Sequence, residues 1–100
     1  MAEIIWSEKA ANDLELIHDY IATDSPFYAR LQIERIFKSV ERLNSFPESG
    51  RRLPEFSYLP HREFIVGAYR CIYRVEQTCV YMVTVVHGSR MLTEGMLEES

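Results

Sequence analysis

Ser25 and Pro26 divide the first half of the chain into two helices. Serine is a preferred N-cap residue, and proline is tolerated at the first helical position because its missing N–H has no partner there. Apolar residues recur at helical spacing on both sides of this break, at Ala10, Leu14, Ile17 and Ile21 and then at Ala29, Ile33, Ile36, Val40 and Leu43. The two predicted helices therefore form an antiparallel hairpin with one shared apolar side.

Short β-branched and aromatic segments predict strands before and after the hairpin. Residues 2–6 are predicted as a first strand, and residues 62–66, 69–75 and 80–86 as three more, with turns near Gly67 and Gln77. Residues 47–61 hold three of the four prolines and are predicted to be loop. The order β-α-α-β-β-β predicts an α+β fold, in which the helical hairpin packs on one face of a small antiparallel sheet. One hundred residues supply one modest core, so residues 1–100 are predicted to form a single domain.

The last two strands are predicted to pair with Val75 opposite Val80. Strict alternation from this pair gives one more apolar face, which we assign to the helices, and one open face. The helix-facing set is Tyr69, Cys71, Tyr73, Val75, Val80, Met82, Thr84 and Val86. The open-face set is Arg70, Ile72, Arg74, Tyr81, Val83, Val85 and His87. This register also keeps Cys71 and Cys79 too far apart for a disulfide.

Composition and charge limit the classes of function. The net charge of −4, from 15 acidic and 11 basic residues, disfavours a domain that grips nucleic acid with its whole surface. A local basic face stays possible, because six arginines lie in the second half. The sequence has no CxxC motif or spaced His/Cys cluster, so no metal or cofactor is expected. No apolar run nears the roughly 18 residues of a membrane span and the N-terminus does not look like a secretory signal, so we expect a cytoplasmic protein.

Five segments in a fixed order resemble the RelE/ParE superfamily of toxins from bacterial type II toxin–antitoxin modules. They are DLELIHDYI, SP, LNSFPESGRRLPE, REFIVGAYRCIYRV and VVHGSR, and the resemblance covers nearly the whole chain. It implies a small antiparallel sheet with a helical hairpin on one face. It also implies a plasmid-stabilisation type of toxin, neutralised by a cognate antitoxin. The superfamily divides into ribosome-dependent mRNA endonucleases and ParE-like toxins that poison DNA gyrase.

A nuclease would need a small set of catalytic groups. Metal-independent RNA cleavage requires a base for the 2′-hydroxyl, an acid for the leaving oxygen and cations for the phosphorane. The resemblance places a phosphate-binding arginine at Arg70 and roughly places a loop base at Glu55, while His87 could serve as acid or base and Arg90 could contact phosphate. Three of these residues have a simpler reading. Arg70 would pair with a carboxylate, His87 would pack beside Tyr69 or contact the antitoxin, and Arg90 would be a surface arginine.

The chain end departs from the nuclease pattern. After His87 it contains three glutamates and neither lysine nor tyrosine, and Lys38 is the only lysine after position 9. These features favour a non-enzymatic, ParE-like inhibitor of DNA gyrase. A ribosome-dependent endonuclease acting on mRNA and an inert member that only binds antitoxin stay open as alternatives. The residues expected to contact the target or the antitoxin are Arg62, Tyr69, Arg74, Tyr81, Tyr20, Phe27 and Leu31.

Overall fold

Two helices and a five-stranded sheet make up residues 1–98, the part of the chain that the computed structural model describes. The elements are β1 (Glu3–Trp6), α1 (Glu8–Ala22), α2 (Pro26–Glu41), β2 (Arg51–Arg52), β3 (Arg62–Val66), β4 (Tyr69–Glu76) and β5 (Cys79–His87), with 3-10 turns at Arg42–Asn44 and Glu94–Leu97. The predicted α+β fold and the order of its main elements are confirmed. Glu99, one of the three glutamates noted after His87, lies outside the described residues.

The helical hairpin begins and breaks where the capping residues predict. The Ser7 hydroxyl accepts a hydrogen bond from the Ala10 amide at 2.9 Å, and the Ser25 hydroxyl accepts one from the Tyr28 amide at 3.2 Å. Each of these bonds satisfies a backbone donor that the first helical turn leaves without a partner. The apolar stripes of both helices are buried against one face of the sheet, in the main core.

The sheet has the order β1-β5-β4-β3-β2 and is mixed. β1 runs parallel to β5, with Ile4 opposite Val80 and Trp6 opposite Met82, while the other neighbours are antiparallel. A two-residue turn forces antiparallel pairing on consecutive strands. No such turn links β1 to β5, so the resulting parallel direction could not be predicted from turn signals.

A β-bulge at Val83 makes the predicted faces wrong for the end of β5. Val75 does lie opposite Val80, and Tyr73 lies opposite Met82, but Ile72 then pairs with Thr84. The additional residue shifts the alternation of all later side chains. Val85 therefore joins the main core, Val86 packs on the other face beside Ile72, and His87 lies next to Tyr69 rather than Arg70.

Side chains from the start of α1 hold the bulge in place. β1 ends at Trp6, so the outer edge of β5 has no neighbouring strand beyond Met82. At this edge, which no strand of residues 1–98 covers, the Ser7 hydroxyl donates to the Val83 carbonyl at 2.9 Å. The Asp13 carboxylate accepts from the Thr84 hydroxyl at 2.6 Å and from the Val85 amide at 3.0 Å. Buried backbone groups need such partners when the strand ladder does not supply them.

The sheet face predicted to be open carries a second, smaller core. Its buried members are Leu53, Ile72, Val86, Leu92 and Leu97, with Phe56, Leu59 and Met96 packed around them. The loop after β2 and the segment after β5 supply most of these side chains. Arg70 consequently lies beneath a cover of loop residues instead of facing solvent.

Both cysteines are free thiols. Cys71 lies in the main core, and burial raises the pKa of its thiol to about 12. Cys79 lies at the other end of the β4–β5 hairpin. Within residues 1–98, no helix has the length and apolar character required to cross a bilayer.

Candidate functional site

Arg70 lies at the centre of an ion-pair network on the second-core side of the sheet, in which Arg70 and Glu63 are buried while Arg51 and Glu55 are exposed. Its Nε donates to Glu63 at 2.6 Å, and its two terminal nitrogens donate to the two oxygens of Glu55 at 2.6 and 2.9 Å. The other oxygen of Glu63 accepts from Arg51 at 2.7 Å. Arg70 is 8% exposed and Glu63 is 1% exposed. Two arginines and two glutamates thus alternate along one chain of contacts.

The charges of this network are mutually stabilised. Hydrogen bonds from Arg70 lower the pKa of Glu55 from 4.5 to about 2. Hydrogen bonds to Glu55, and then to Glu63, raise the pKa of Arg70. Arg70 and Glu55 are both charged at neutral pH. The planar guanidinium binds the Glu55 carboxylate in the same bidentate way in which it would bind a phosphate. A phosphate could reach Arg70 only by displacing Glu55.

His87 lies at the exposed end of β5, on the helix side of the sheet. Its ring meets the edge of Tyr69 at a centroid distance of 5.3 Å. Its Nδ1 accepts from the Ser89 amide at 3.1 Å and lies 2.7 Å from the Ser89 hydroxyl. Burial, and secondarily Tyr20, raise the pKa of the Tyr69 hydroxyl. His87 and Arg90 help to line a cleft of about 540 Å³ that also includes Tyr20 and Tyr69.

The four nuclease candidates are therefore divided into two pairs. Arg70 and Glu55 contact each other on the second-core side of the sheet. His87 and Arg90 share the cleft on the helix side. The β-bulge at Val83 causes this separation, because strict alternation would have placed His87 on the face of Arg70.

The residues predicted to contact a target or antitoxin are scattered. Arg62 donates to the Gly50 carbonyl at 2.8 Å. Arg74 lies over the Tyr81 ring at 4.5 Å and pairs with Glu76. On the helical hairpin, Tyr20 is 75% exposed and Phe27 is 59% exposed. The remaining two are less accessible, since Tyr69 is buried and Leu31 is half-buried.

Sequence reasoning missed the importance of two groups. The sequence analysis predicts Glu63 only as part of a strand, although a charged residue in the apolar segment REFIV indicates a buried ion pair. Arg35, Lys38 and Arg42 were not singled out, although their spacing of three and four places them on one helix face. Within residues 1–98, no group of three or more His, Cys, Asp or Glu side chains is arranged to hold a metal ion.

Comparisons with known proteins agree with this architecture. Residues 4–92 match the family model of the ParE toxin of type II toxin–antitoxin systems, parDE. Toxin RelE2 of Caulobacter vibrioides (strain ATCC 19089 / CIP 103742 / CB 15) is 32% identical over 92 residues, which cover 91% of this chain and 100% of that protein. A solved structure described as a chromosomal ParDE TA system from P. aeruginosa has a similar fold. It has a TM-score of 0.72 and 24% identity, and the match covers 87% of this chain and 96% of that one. The chain thus belongs to the ParE family of type II toxins, a family whose members have an antitoxin as partner.

Proposed function

We propose that this toxin inhibits DNA gyrase by binding to it and does not cleave RNA. The observation that carries the proposal is the occupied guanidinium of Arg70. All three of its donor nitrogens point at Glu55 or Glu63. The match to the ParE family model supports the same branch of the superfamily.

Arg70, Glu55 and His87 are poorly arranged to catalyse RNA cleavage. Glu55, with its pKa lowered to about 2, is a weak base for a 2′-hydroxyl. Its carboxylate, together with that of Glu63, also cancels the positive charge that Arg70 would offer to a phosphorane. His87 lies on the opposite side of the sheet and could not act on a phosphate bound at Arg70. The second core covers the surface on which a nucleic acid would have to lie.

A ribosome-dependent endonuclease is the second candidate. The relative from Caulobacter vibrioides carries the name Toxin RelE2, and it is 32% identical to this chain. In this alternative the cleft of His87 and Arg90 would be the reactive centre, because these two residues are exposed and Arg70 is not. The inert alternative, a chain that only binds its antitoxin, predicts no effect on either target.

Induced expression in cells without the antitoxin tests the proposal. We expect full-length transcripts, chromosomal breaks and an SOS response in the same culture, and loss of supercoiling activity when purified toxin is added to purified gyrase. Co-expression of the antitoxin encoded beside the toxin is the control and should abolish each effect. Cleaved transcripts with intact DNA would contradict the proposal, and His87→Ala and Arg90→Ala would then show whether the cleft carries the chemistry. Unharmed cells would favour the inert alternative.

We further propose that the antitoxin docks on the helical hairpin. Leu16, Tyr20, Phe27 and Tyr28 are large apolar residues that α1 and α2 leave exposed. A second groove of about 350 Å³ between the helices includes Trp6, Leu14, Ile33 and Phe37. Such surfaces suit the apolar face of a partner helix. Leu31 is half-buried and would lie at the border of this surface.

Substitution of exposed aromatic residues tests this docking surface. Tyr20→Ser and Phe27→Ser are each expected to weaken antitoxin binding at least tenfold, because aromatic side chains dominate the energetics of interfaces. Isothermal titration of the purified toxin with the antitoxin gives the dissociation constants. Phe46→Ser is the matched control, since Phe46 is an exposed aromatic residue outside the hairpin. Equal losses in the control and the hairpin variants would rule out this surface.

A further inference from the structure

Basic residues without a carboxylate partner gather at the end of α2. Among the eleven basic residues of the chain, those paired with carboxylates are Lys9, Arg30, Arg51, Arg70 and Arg74. Arg52 and Arg62 donate to backbone carbonyls. Within residues 1–98, the remaining four form no ion pair or side-chain hydrogen bond, and they are Arg35, Lys38, Arg42 and Arg90. The first three of these lie together, on a protein whose net charge is −4.

The three cations line one side of a groove beside α2, which we name the basic groove. Their spacing of three and four residues places them on one helix face, about 4.5 and 6 Å apart along the axis. The section between α2 and the end of β3 has a volume of about 680 Å³. Ser39 and Arg42 also line a second section of about 340 Å³, which residues 46–50 help to enclose. Glu41 is the one acidic residue among the described residues that line either section, so positive charge is in excess.

Two aromatic rings lie in the second section of the basic groove. Phe46 is 67% exposed, and Phe64 is half-buried beside Tyr73, at a centroid distance of 6.0 Å. The Phe46 amide donates to the Arg42 carbonyl at 2.9 Å, and the Phe46 carbonyl accepts from the Ser49 amide at 3.1 Å. These two backbone bonds hold the exposed ring on an ordered turn directly after the last of the three cations. An aromatic ring held in this way offers a stacking surface to an unpaired base.

We propose that the basic groove binds single-stranded nucleic acid. The phosphates would lie along Arg35, Lys38 and Arg42, and a base would stack on Phe46. The hydroxyl of Ser39 would donate to a phosphate oxygen, as serine hydroxyls commonly do at such interfaces. Sites for single strands combine a positively charged groove that follows the backbone with aromatic side chains that accept the bases. Because these contacts do not read the sequence, the groove should accept DNA and RNA.

A single strand fits the basic groove better than a duplex or an acidic protein segment does. A duplex could reach the three cations, but its paired bases are not available to stack on an exposed ring. An acidic protein segment could also use the cations. A nucleotide chain, however, alternates an anion with a flat ring at every step, and the groove likewise places an exposed ring next to its cations.

Binding at the basic groove is separate from RNA cleavage and from gyrase inhibition. Among the described residues that line the groove, none is one of the four nuclease candidates. Arg70 and Glu55 contact each other on the second-core side of the sheet, away from α2. The inference therefore goes beyond the proposed function and holds for either target, because gyrase acts on DNA and the ribosome on RNA.

Titration of purified toxin with labelled oligonucleotides, followed by fluorescence anisotropy, tests the role of the cations. Strands of about twelve thymidines or uridines lie within the usual site size of such proteins. The logarithm of the association constant should fall with the logarithm of the NaCl concentration with a slope of about −2, because each phosphate contact on a single strand contributes about −0.7. The triple variant Arg35→Gln/Lys38→Gln/Arg42→Gln should bind roughly tenfold or more weakly, with a slope near zero. Arg30→Gln is the matched control, because Arg30 lies on the same helix outside the groove and pairs with Glu34.

Replacing Phe46 tests base stacking separately from charge. Phe46→Ala is expected to raise the dissociation constant about fivefold or more, because loss of a stacking ring weakens single-strand binding. The slope against NaCl concentration should stay at the wild-type value, since no cation is removed. Phe27→Ala is the matched control, because Phe27 is an exposed aromatic residue outside the basic groove. Melting temperatures confirm that every variant is folded.

Several results would overturn the proposal. They are an unchanged affinity in the triple variant, an equal loss in Arg30→Gln, and wild-type affinity in Phe46→Ala. Polyglutamate that displaces the oligonucleotide at an equal concentration of charge would assign the basic groove to an acidic protein instead, and a duplex that binds as tightly as the single strand would exclude stacking. Tight binding of only the thymidine or only the uridine strand would support the site and identify which nucleic acid it serves. Because these titrations contain no gyrase, their failure would leave gyrase inhibition untouched.

Discussion

Replacing Arg70 with alanine is expected to lower the free energy of unfolding by about 3–5 kcal/mol. Glu63 is 1% exposed and would keep Arg51 as its one cationic partner in the network, while Glu55 would lose both of its hydrogen bonds to Arg70. Removing one member of a buried ion pair leaves the other charge uncompensated in a poorly solvated place. Urea denaturation at pH 7 measures the loss, and a decrease below 1 kcal/mol would contradict the account of the network.

Glu55→Gln is the matched control, since Glu55 lies at the solvent side of the same network. Hydrogen bonds from Arg70 lower the pKa of Glu55 in the folded state to about 2, from 4.5. A lowered pKa means that the contribution of the pair is complete above the unfolded value and is lost as the pH falls toward the folded one. Wild-type toxin should therefore lose stability faster than Glu55→Gln between about pH 4.5 and pH 2. Parallel pH profiles for the two proteins would show that the pair does not stabilise the fold.

Replacing Gly50 with alanine is expected to lower the free energy of unfolding by about 3 kcal/mol, at the upper end of what overpacking costs. A β-carbon at this position would lie 2.6 Å from the Tyr73 hydroxyl oxygen and 2.7 Å from the Glu63 carbonyl oxygen. Tyr73 is fully buried, and the Glu63 carbonyl belongs to a strand, so neither can move freely. The hydrogen bond from the Gly50 amide to the Tyr73 hydroxyl, at 2.9 Å, would also be disturbed.

Two further variants test the cause of this loss. Ser49→Ala changes the neighbouring exposed residue and should leave stability within about 0.5 kcal/mol of wild type. Tyr73→Phe removes the nearest atom, so the cost of Gly50→Ala should be smaller in that background. Thermal unfolding of wild type, Gly50→Ala, Tyr73→Phe and the Gly50→Ala/Tyr73→Phe double variant measures this difference. An identical cost in both backgrounds would show that the Tyr73 hydroxyl is not the obstacle.

Local signals in the sequence were sufficient to predict the helices and strands and the register at the start of the β4–β5 hairpin. Ser7, Ser25 and Pro26 act within their own helical turns, and Val75 pairs with Val80 across a turn of a few residues. The bulge had no such signal, because Val83 is β-branched like its neighbours and continues an apolar segment. Its support comes from Ser7 and Asp13, more than 70 positions away in the sequence.

In the candidate site, too, some contacts could be predicted from the sequence and others depend on residues that are distant in the sequence. The sequence left an ion pair as one of two interpretations of Arg70, and packing beside Tyr69 as one interpretation of His87. The structure shows the ion pair of Arg70 with Glu55 and the ring contact of His87 with Tyr69. Glu63 could not be paired with Arg70 from the sequence alone, because the contact crosses between two strands beneath the second core. That core was missed as well, since its members come from segments that have no strand or helix periodicity, around Leu53 and Leu92.

The bulge at Val83 also affects how this chain is aligned with a related strand that lacks a bulge. Position by position, β5 is a continuous segment without glycine or proline, and a gap-free alignment to an unbulged strand would equate His87 with a residue on the Arg70 side of the sheet. Treating Val83 as an inserted column moves His87 to the helix side, where Tyr69 and Tyr20 are its neighbours. Whether Val83 is treated as an insertion thus decides which surface of the sheet His87 is assigned to. A role transferred to His87 from a relative by sequence alone changes with that assignment.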